Sequence, residues 1–314
     1  VAKEMLRETT RHHGSNKKML LRKNNKTPER ATGCSKDQNT DCAPVSERVS
    51  KNVPDIANAN NPYDYCGRIH NEMLDYIINN NPHPTHEDIF ILTQKYLQEQ
   101  YDISCDITFE DINNSYTATT DFIIDAFLGN ASFNEIIEVD VIAGALDVLV
   151  DYSKSIMISN ALPSPQEYAD YLIEHENQVV KSREDAGISP DEVSEYDVAL
   201  GTFAIARYSY SYWYEVAHNP DNAWNNVKKE FKRQDGDDPK PGFWKRLWGG
   251  IRDVAETVVK AVATPVVDAT GFAYGAITNN GPVSPNSHWV GFTGSKWLNA
   301  GLQTAGDWSG RIWD

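Results

Sequence analysis

The densest run of reactive side chains in this chain is NPYDYCGRIHNEMLDYI, residues 61–77. His70, Asn71 and Glu72 are consecutive within it, with Tyr63, Asp64 and Asp75 close by in sequence. An imidazole beside carboxylates could ligate a metal ion or move a proton, while a phenol and an amide could orient a ligand. Tyr63, Asp64, His70, Asn71, Glu72 and Asp75 are therefore the candidate binding residues. Successive residues on a helix point about 100° apart, which works against His70, Asn71 and Glu72 meeting one ligand. On a helix Cys66, Ile69, His70, Met73 and Ile77 share a stripe, so the plainer reading makes His70 a core imidazole. Asp64, Arg68 and Glu72 recur at i, i+4 and i+8, the spacing of an ion-pair ladder.

The remaining constellations carry less. His83-Pro-Thr-His86-Glu87 has the letters of a zinc-protease motif, but Pro84 and a cap at Thr85 put His83 outside any helix, so the two imidazoles cannot share a face. Glu215-x-x-His218 has the spacing of one half of a di-iron site; no second such pair exists, and His218 fits a helix C-terminus instead. Asp121/Asp125 and Asp147/Asp151 are i, i+4 acids on what reads as a solvated face. Asp235-Gly-Asp-Asp238 lacks the ligand periodicity of a calcium loop. There is no phosphate-cradling glycine loop and no G-x-S-x-G. The sequence assigns no catalytic residue, no metal ligands and no cofactor.

The elements that must position these groups are announced by their N-caps. Asn61-Pro62 with Asp64 predicts a helix to about Asn79, ended before Pro82 and Pro84. Thr85/Asp88, Thr108/Asp111, Ser132/Glu135, Ser164/Glu167 and Ser189/Glu192 repeat the pairing of a hydroxyl cap with an acid three residues on. The spacing of roughly 20 to 30 residues, with no alternating strand pattern, predicts an all-α multi-helix bundle. The helix from Pro190 to Ala217, with small residues Ala199, Gly201, Ala204 and Ala206, reads as central.

Composition sets the outer bounds. The chain has 314 residues, 40% of them hydrophobic and 11% aromatic, with a net charge of −16. Residues 1–55 hold 12 Lys/Arg against 7 Asp/Glu, and the rest holds 17 against 38. So acidic a body repels phosphate backbones, which disfavours nucleic acid as a partner except through the basic leader, and no nucleic acid is expected. No apolar run of about 18 residues is present. Cys34, Cys42, Cys66 and Cys105 contain no C-x-x-C, and their pairing stays open. The chain divides into a flexible polar leader (1–60), a helical domain (61–233), a linker (234–242), and an amphipathic helix followed by a Gly/Trp-rich region (243–314). Phe243, Trp244 and Trp248 beside Lys245, Arg246 and Arg252 suit either packing on the body or contact with a membrane surface. Pro265 should kink or restart that helix, and the last 35 residues read as irregular.

The run N-P-Y-D-Y-x-G-x-x-H-N-E-x-L-D-Y resembles the opening signature of uncharacterised lipoproteins from Bacteroidota. Asn61, Pro62, Tyr63, Asp64, Tyr65, Gly67, His70, Asn71, Glu72, Leu74, Asp75 and Tyr76 carry it, and FWKRLWGG at 243–250 fits the C-terminal segment of such chains. The resemblance implies a lipidated cysteine, a tether and a helical domain in the cell envelope, and it carries no activity. Ala31-Thr32-Gly33-Cys34 matches the lipidation junction, although LLRKNNKTPER before it is polar where an apolar segment is expected. The expected function is non-enzymatic recognition or scaffolding at the bacterial envelope, with an unknown protein or envelope component as partner. The alternatives are a membrane-active secreted effector using residues 243–278 and a metal-dependent enzyme centred on His70.

Overall fold

The computed structural model describes residues 56–101, 107–189, 192–219, 221–225, 243, 246–247, 256–278 and 296–312. Among these residues there are eight α-helices and no strand. They are α1 (Tyr65–Asn80), α2 (His86–Tyr101), α3 (Phe109–Phe127), α4 (Asp140–Ser159), α5 (Pro165–Asp185), α6 (Glu195–His218), α7 (Glu256–Thr278) and α8 (Lys296–Ile312). The chain is an all-α bundle, as its cap signals predict.

Several caps form as the sequence specifies. Thr108 and Ser164 each accept from the amide three residues on, and Asp111 and Glu167 return the bond. Thr85 and Asp88 do the same ahead of α2. Each such cap stabilises its helix by about 1 kcal/mol. Gly129 and Gly187 follow α3 and α5 at φ 76° and 71°, the left-handed region where a side chain would strain.

Three predicted starts are displaced, each because a carboxylate or guanidinium has another task. α1 begins at Tyr65 rather than at Asn61, and Asp64 makes no side-chain cap bond; its carboxylate is taken by Arg207 and Tyr208. The Ser132/Glu135 box closes only a 3-10 turn, Phe133–Glu135. Asp147 of α4 reaches back to accept from Ser132 Oγ, Phe133 N and Asn134 Nδ2 at 2.8–2.9 Å, so α4 starts later, at Asp140. Ser189 and Glu192 form a turn whose carbonyls both accept from Arg183 Nη2. α6 opens instead at Glu195, where Ser194 donates its amide to Asp197.

The larger correction is at the C-terminal end. α7 runs through Pro265 without ending, and the last region, expected to be irregular, contains α8. Every residue from Val258 to Ala273 and from Trp297 to Ile312 is buried. α7 packs chiefly on α8, α6 and α4, and α6 packs on α1 and α5. The part expected beyond a 234–242 linker thus forms the middle of the same helical body; the linker itself lies outside the described residues. Glycine makes this closeness possible. A Cβ on Gly275 would lie 2.3 Å from the Ala300 carbonyl oxygen, and one on Gly67 would lie 2.4 Å from that of Ala204. Neither backbone oxygen can yield, so α7/α8 and α1/α6 touch main chain to main chain.

Candidate functional site

α1 distributes its signature residues in several directions. Tyr63 precedes the helix, half-buried, with its ring centroid 5.4 Å from that of Trp297. Asp64 points at α6. His70 is wholly buried and faces α7. Asn71 donates to the Tyr208 carbonyl at 2.9 Å, and Asp75 accepts from Tyr212 at 3.0 Å, both on α6. Glu72 faces outward, accepting from Tyr96 and Tyr101 at 2.9 and 3.0 Å, with Arg68 at 3.9 Å. The six candidates do not converge on one ligand. The ladder expected from Asp64 through Arg68 to Glu72 keeps only its second rung.

Two buried polar centres flank α1 instead. The first is built on Arg207, a residue the sequence reading did not single out. Its Nε donates to Glu176 Oε1 at 2.6 Å, its Nη2 to Asp64 Oδ1 at 2.6 Å, and its Nη1 to the Ile56 carbonyl. Asn58 and Asn61 donate to Glu176 Oε2 at 2.6 and 3.1 Å, and Tyr208 donates to Asp64 Oδ2 at 2.9 Å. Burial alone would lower the Arg207 pKa, but Glu176 and Asp64 outweigh it and raise the pKa above the ordinary value. One cation thereby ties the start of α1 to α5 and α6. The signal lay in FAIARYSY: a lone arginine in a helix that is apolar on most sides must bring acids in with it.

In the second centre, four helices meet at Asp268 of α7. Ser209 Oγ, Ser309 Oγ and Trp213 Nε1 all donate to its Oδ2, at 2.5, 2.9 and 3.3 Å. His70 Nε2 stands 3.5 Å from the same oxygen without a hydrogen bond, and Asp268 Oδ1 has no partner. Burial pushes the Asp268 carboxyl up to about 7 against those three donors, and pushes His70 down to about 4. Serine, histidine and aspartate are thus together, yet both serines donate to the acid and neither to the imidazole. A nucleophile needs a base within hydrogen-bond reach, and here the serine protons are held by Asp268. The geometry is that of a buried junction, with no solvent path to it through His70, which has zero exposure.

Comparison with protein-family models, with curated proteins and with solved structures finds no match. Among the described residues no three His, Cys, Asp or Glu side chains are grouped to hold a metal ion, and no helix is long and apolar enough to cross a membrane. His218 Nδ1 is 2.7 Å from the Tyr214 carbonyl, at the end of α6. Cys66 is free and buried, which raises its thiol pKa. Of the proposed membrane-facing residues, Phe243 packs partly buried against the core and Leu247 beside it is fully buried. The side chains of Trp244 and Trp248, like Cys34, lie outside the described residues.

Proposed function

We propose that this chain is a non-enzymatic helical protein of the bacterial cell envelope that acts in recognition or scaffolding. One observation supports this reading above the others: the ionisable side chains that could have done chemistry are engaged in joining helices. Asp64 and Glu176 neutralise Arg207, Asp75 and Asn71 anchor α1 on α6, and Asp268 gathers four helices. What such a body offers a partner is its outer surface. Beside Glu72, Tyr76 of α1 and Tyr101 of α2 stand partly exposed over the buried ring of Tyr96, and this is one place where the signature helix reaches that surface. Tyrosine supplies contact area with little conformational entropy to lose, which suits recognition.

The test is intact-mass analysis of the native protein after cell fractionation. An acylated Cys34 in the membrane fraction is the expected result. An unmodified Cys34 in a chain recovered from the cytosol overturns the envelope reading. Stoichiometric metal in the purified protein, with melting lowered by chelator, would favour the metal-dependent enzyme instead.

A further inference from the structure

The chain has 15 tyrosines, and four of them touch ring to ring across three helices. Tyr152 of α4 stacks on Tyr171 of α5, with centroids 3.7 Å and planes 17° apart. Tyr152 also lies 5.3 Å from Tyr168 of α5, which stacks on Tyr210 of α6 at 3.8 Å. Tyr168 and Tyr210 are wholly buried, whereas Tyr152 and Tyr171 are partly exposed. The row thus reaches the surface at its closest pair. Beside Glu72 the rings stand farther apart, at 5.3 Å for Tyr76/Tyr96 and 5.9 Å for Tyr96/Tyr101.

The fold holds Tyr152 and Tyr171 in place. α4 and α5 both pack on α6. The turn between them is fixed by Asn160 in the left-handed region, by the Ser164 cap, and by the Tyr210 hydroxyl, which donates to the Pro163 carbonyl at 2.8 Å. The two rings therefore meet without any search by the chain, and proximity of this kind is what a reaction between side chains ordinarily lacks. Their exposure leaves room to turn from stacked to edge-joined.

Phenols lose an electron readily, and rings in contact pass the resulting hole from one to the next. A hole formed at buried Tyr168 or Tyr210 can so reach Tyr152 and Tyr171. Burial, then Asp151 and Glu174, hold the Tyr171 phenol above its ordinary pKa; burial, Tyr171 and Glu167 do the same for Tyr152. Neutral phenols are what an oxidant meets, and the exposed carboxylates of Asp151, Glu167 and Glu174 are the bases at hand for the departing protons.

We propose that Tyr152 and Tyr171 are an oxidative modification site, where a one-electron oxidant fed by a peroxide joins them as dityrosine and staples α4 to α5. Each phenol gives one electron to the oxidant and its hydroxyl proton to a carboxylate or water. The two phenoxyl radicals pair their spins in a new bond between ortho carbons. Each of those carbons then passes its hydrogen, as a proton, to the ring oxygen that lost one. Two electrons and two protons leave in all. They cleave one peroxide O–O bond, turning hydrogen peroxide into two waters, or peroxodisulfate into two sulfates with the protons left in solution. The site goes beyond the recognition reading and does not depend on it.

The experiment photo-oxidises the full chain with ruthenium tris(bipyridyl) and peroxodisulfate, at a dilution where chains rarely meet. Mass spectrometry should find the monomer lighter by two hydrogens, with a peptide pair linked at Tyr152 and Tyr171 and the blue fluorescence of dityrosine. The linked monomer should melt at a higher temperature, because the bridge constrains the unfolded chain. Tyr171→Phe keeps a ring in the stack but has no hydroxyl to oxidise, and it loses the linkage. Wild type in urea loses it too. A monomer with no bridge, or bridged between other tyrosines, overturns the proposal. So does equal linkage in urea, which would make nearness in sequence the cause. A bridge that lowers the melting temperature also overturns it, since the rings would have been dragged together.

Discussion

Two polar regions lie equally deep in this bundle, and they are finished to very different degrees. Around Arg207 each donor nitrogen has an acceptor, and Glu176 receives Arg207, Asn58 and Asn61 together. Along α8 the buried polar stripe of Asn299, Gln303, Asp307 and Arg311 leaves an atom bare at every step. Burial costs both regions desolvation; the first recovers it at every nitrogen of its cation, whereas in the second Arg311 meets Asp307 and Asn113 but keeps Nη2 unpartnered. A saturated network specifies one arrangement of α1, α5 and α6 and resists change. An unsaturated stripe specifies its contacts less completely. Depth in the fold is therefore a poor guide to rigidity here, and hydrogen-bond completeness is the better one.

The largest effect is expected in the saturated network. Arg207→Met leaves Glu176 buried beside no cation, and unfolding by urea should show a loss of about 3–5 kcal/mol. A loss below about 1 kcal/mol would mean that water reaches the network and that the contrast with α8 is false. Next comes Gly275→Ala, which sets a methyl against the Ala300 carbonyl; overpacking of this kind costs about 1–3 kcal/mol and should lower the melting temperature. An unchanged melting temperature would show that α7 and α8 are not in main-chain contact.

The Asp268 junction sharpens the picture through pH. Asp268 binds its proton more tightly in the fold, at about 7 against 3.8, so its contribution is full below 3.8 and is lost as pH rises through about 7. His70 has the opposite slope, since its folded value of about 4 lies below 6.5. Asp268→Asn deletes the first slope only. Relative to wild type the variant should gain stability steadily between pH 4 and pH 7, read from urea midpoints; a parallel profile would place Asp268 in contact with solvent. The smallest effect belongs to the surface. Glu72→Gln alters a half-exposed group and should shift stability by no more than about 0.5 kcal/mol, although it alters the tyrosine patch.

What the sequence disclosed followed the range of the forces involved. Hydroxyl caps with an acid three residues on are local devices, and at Thr108 and Ser164 they place helix starts directly. The same pattern at Ser132 and Ser189 was outvoted by Asp147 and Arg183, which reach across turns from other elements. α8 was hidden because Gly301, Gly306 and Gly310 read as breakers, whereas here they are the points at which Phe272, Met73 and Ile89 approach. His70 on the buried stripe was legible from helical periodicity. Its neighbour Asp268 was not, because the two are almost two hundred positions apart and only the packed bundle brings them within reach. A single acid within PVVDATGFA is nevertheless a cue, since an apolar helix seldom carries one without a destination.

The burial of α7 and α8 also has a consequence for how the molecule comes into being. A ribosome makes α1 through α6 first, yet the surfaces those helices must cover arrive only with residues 256–312. Until that part has been made, α1, α5 and α6 can join through Arg207, while the sides of α6 and α4 that face α7 stay uncovered. A product truncated before α7 would expose those apolar sides to water, the condition under which a helical body aggregates or is cleaved.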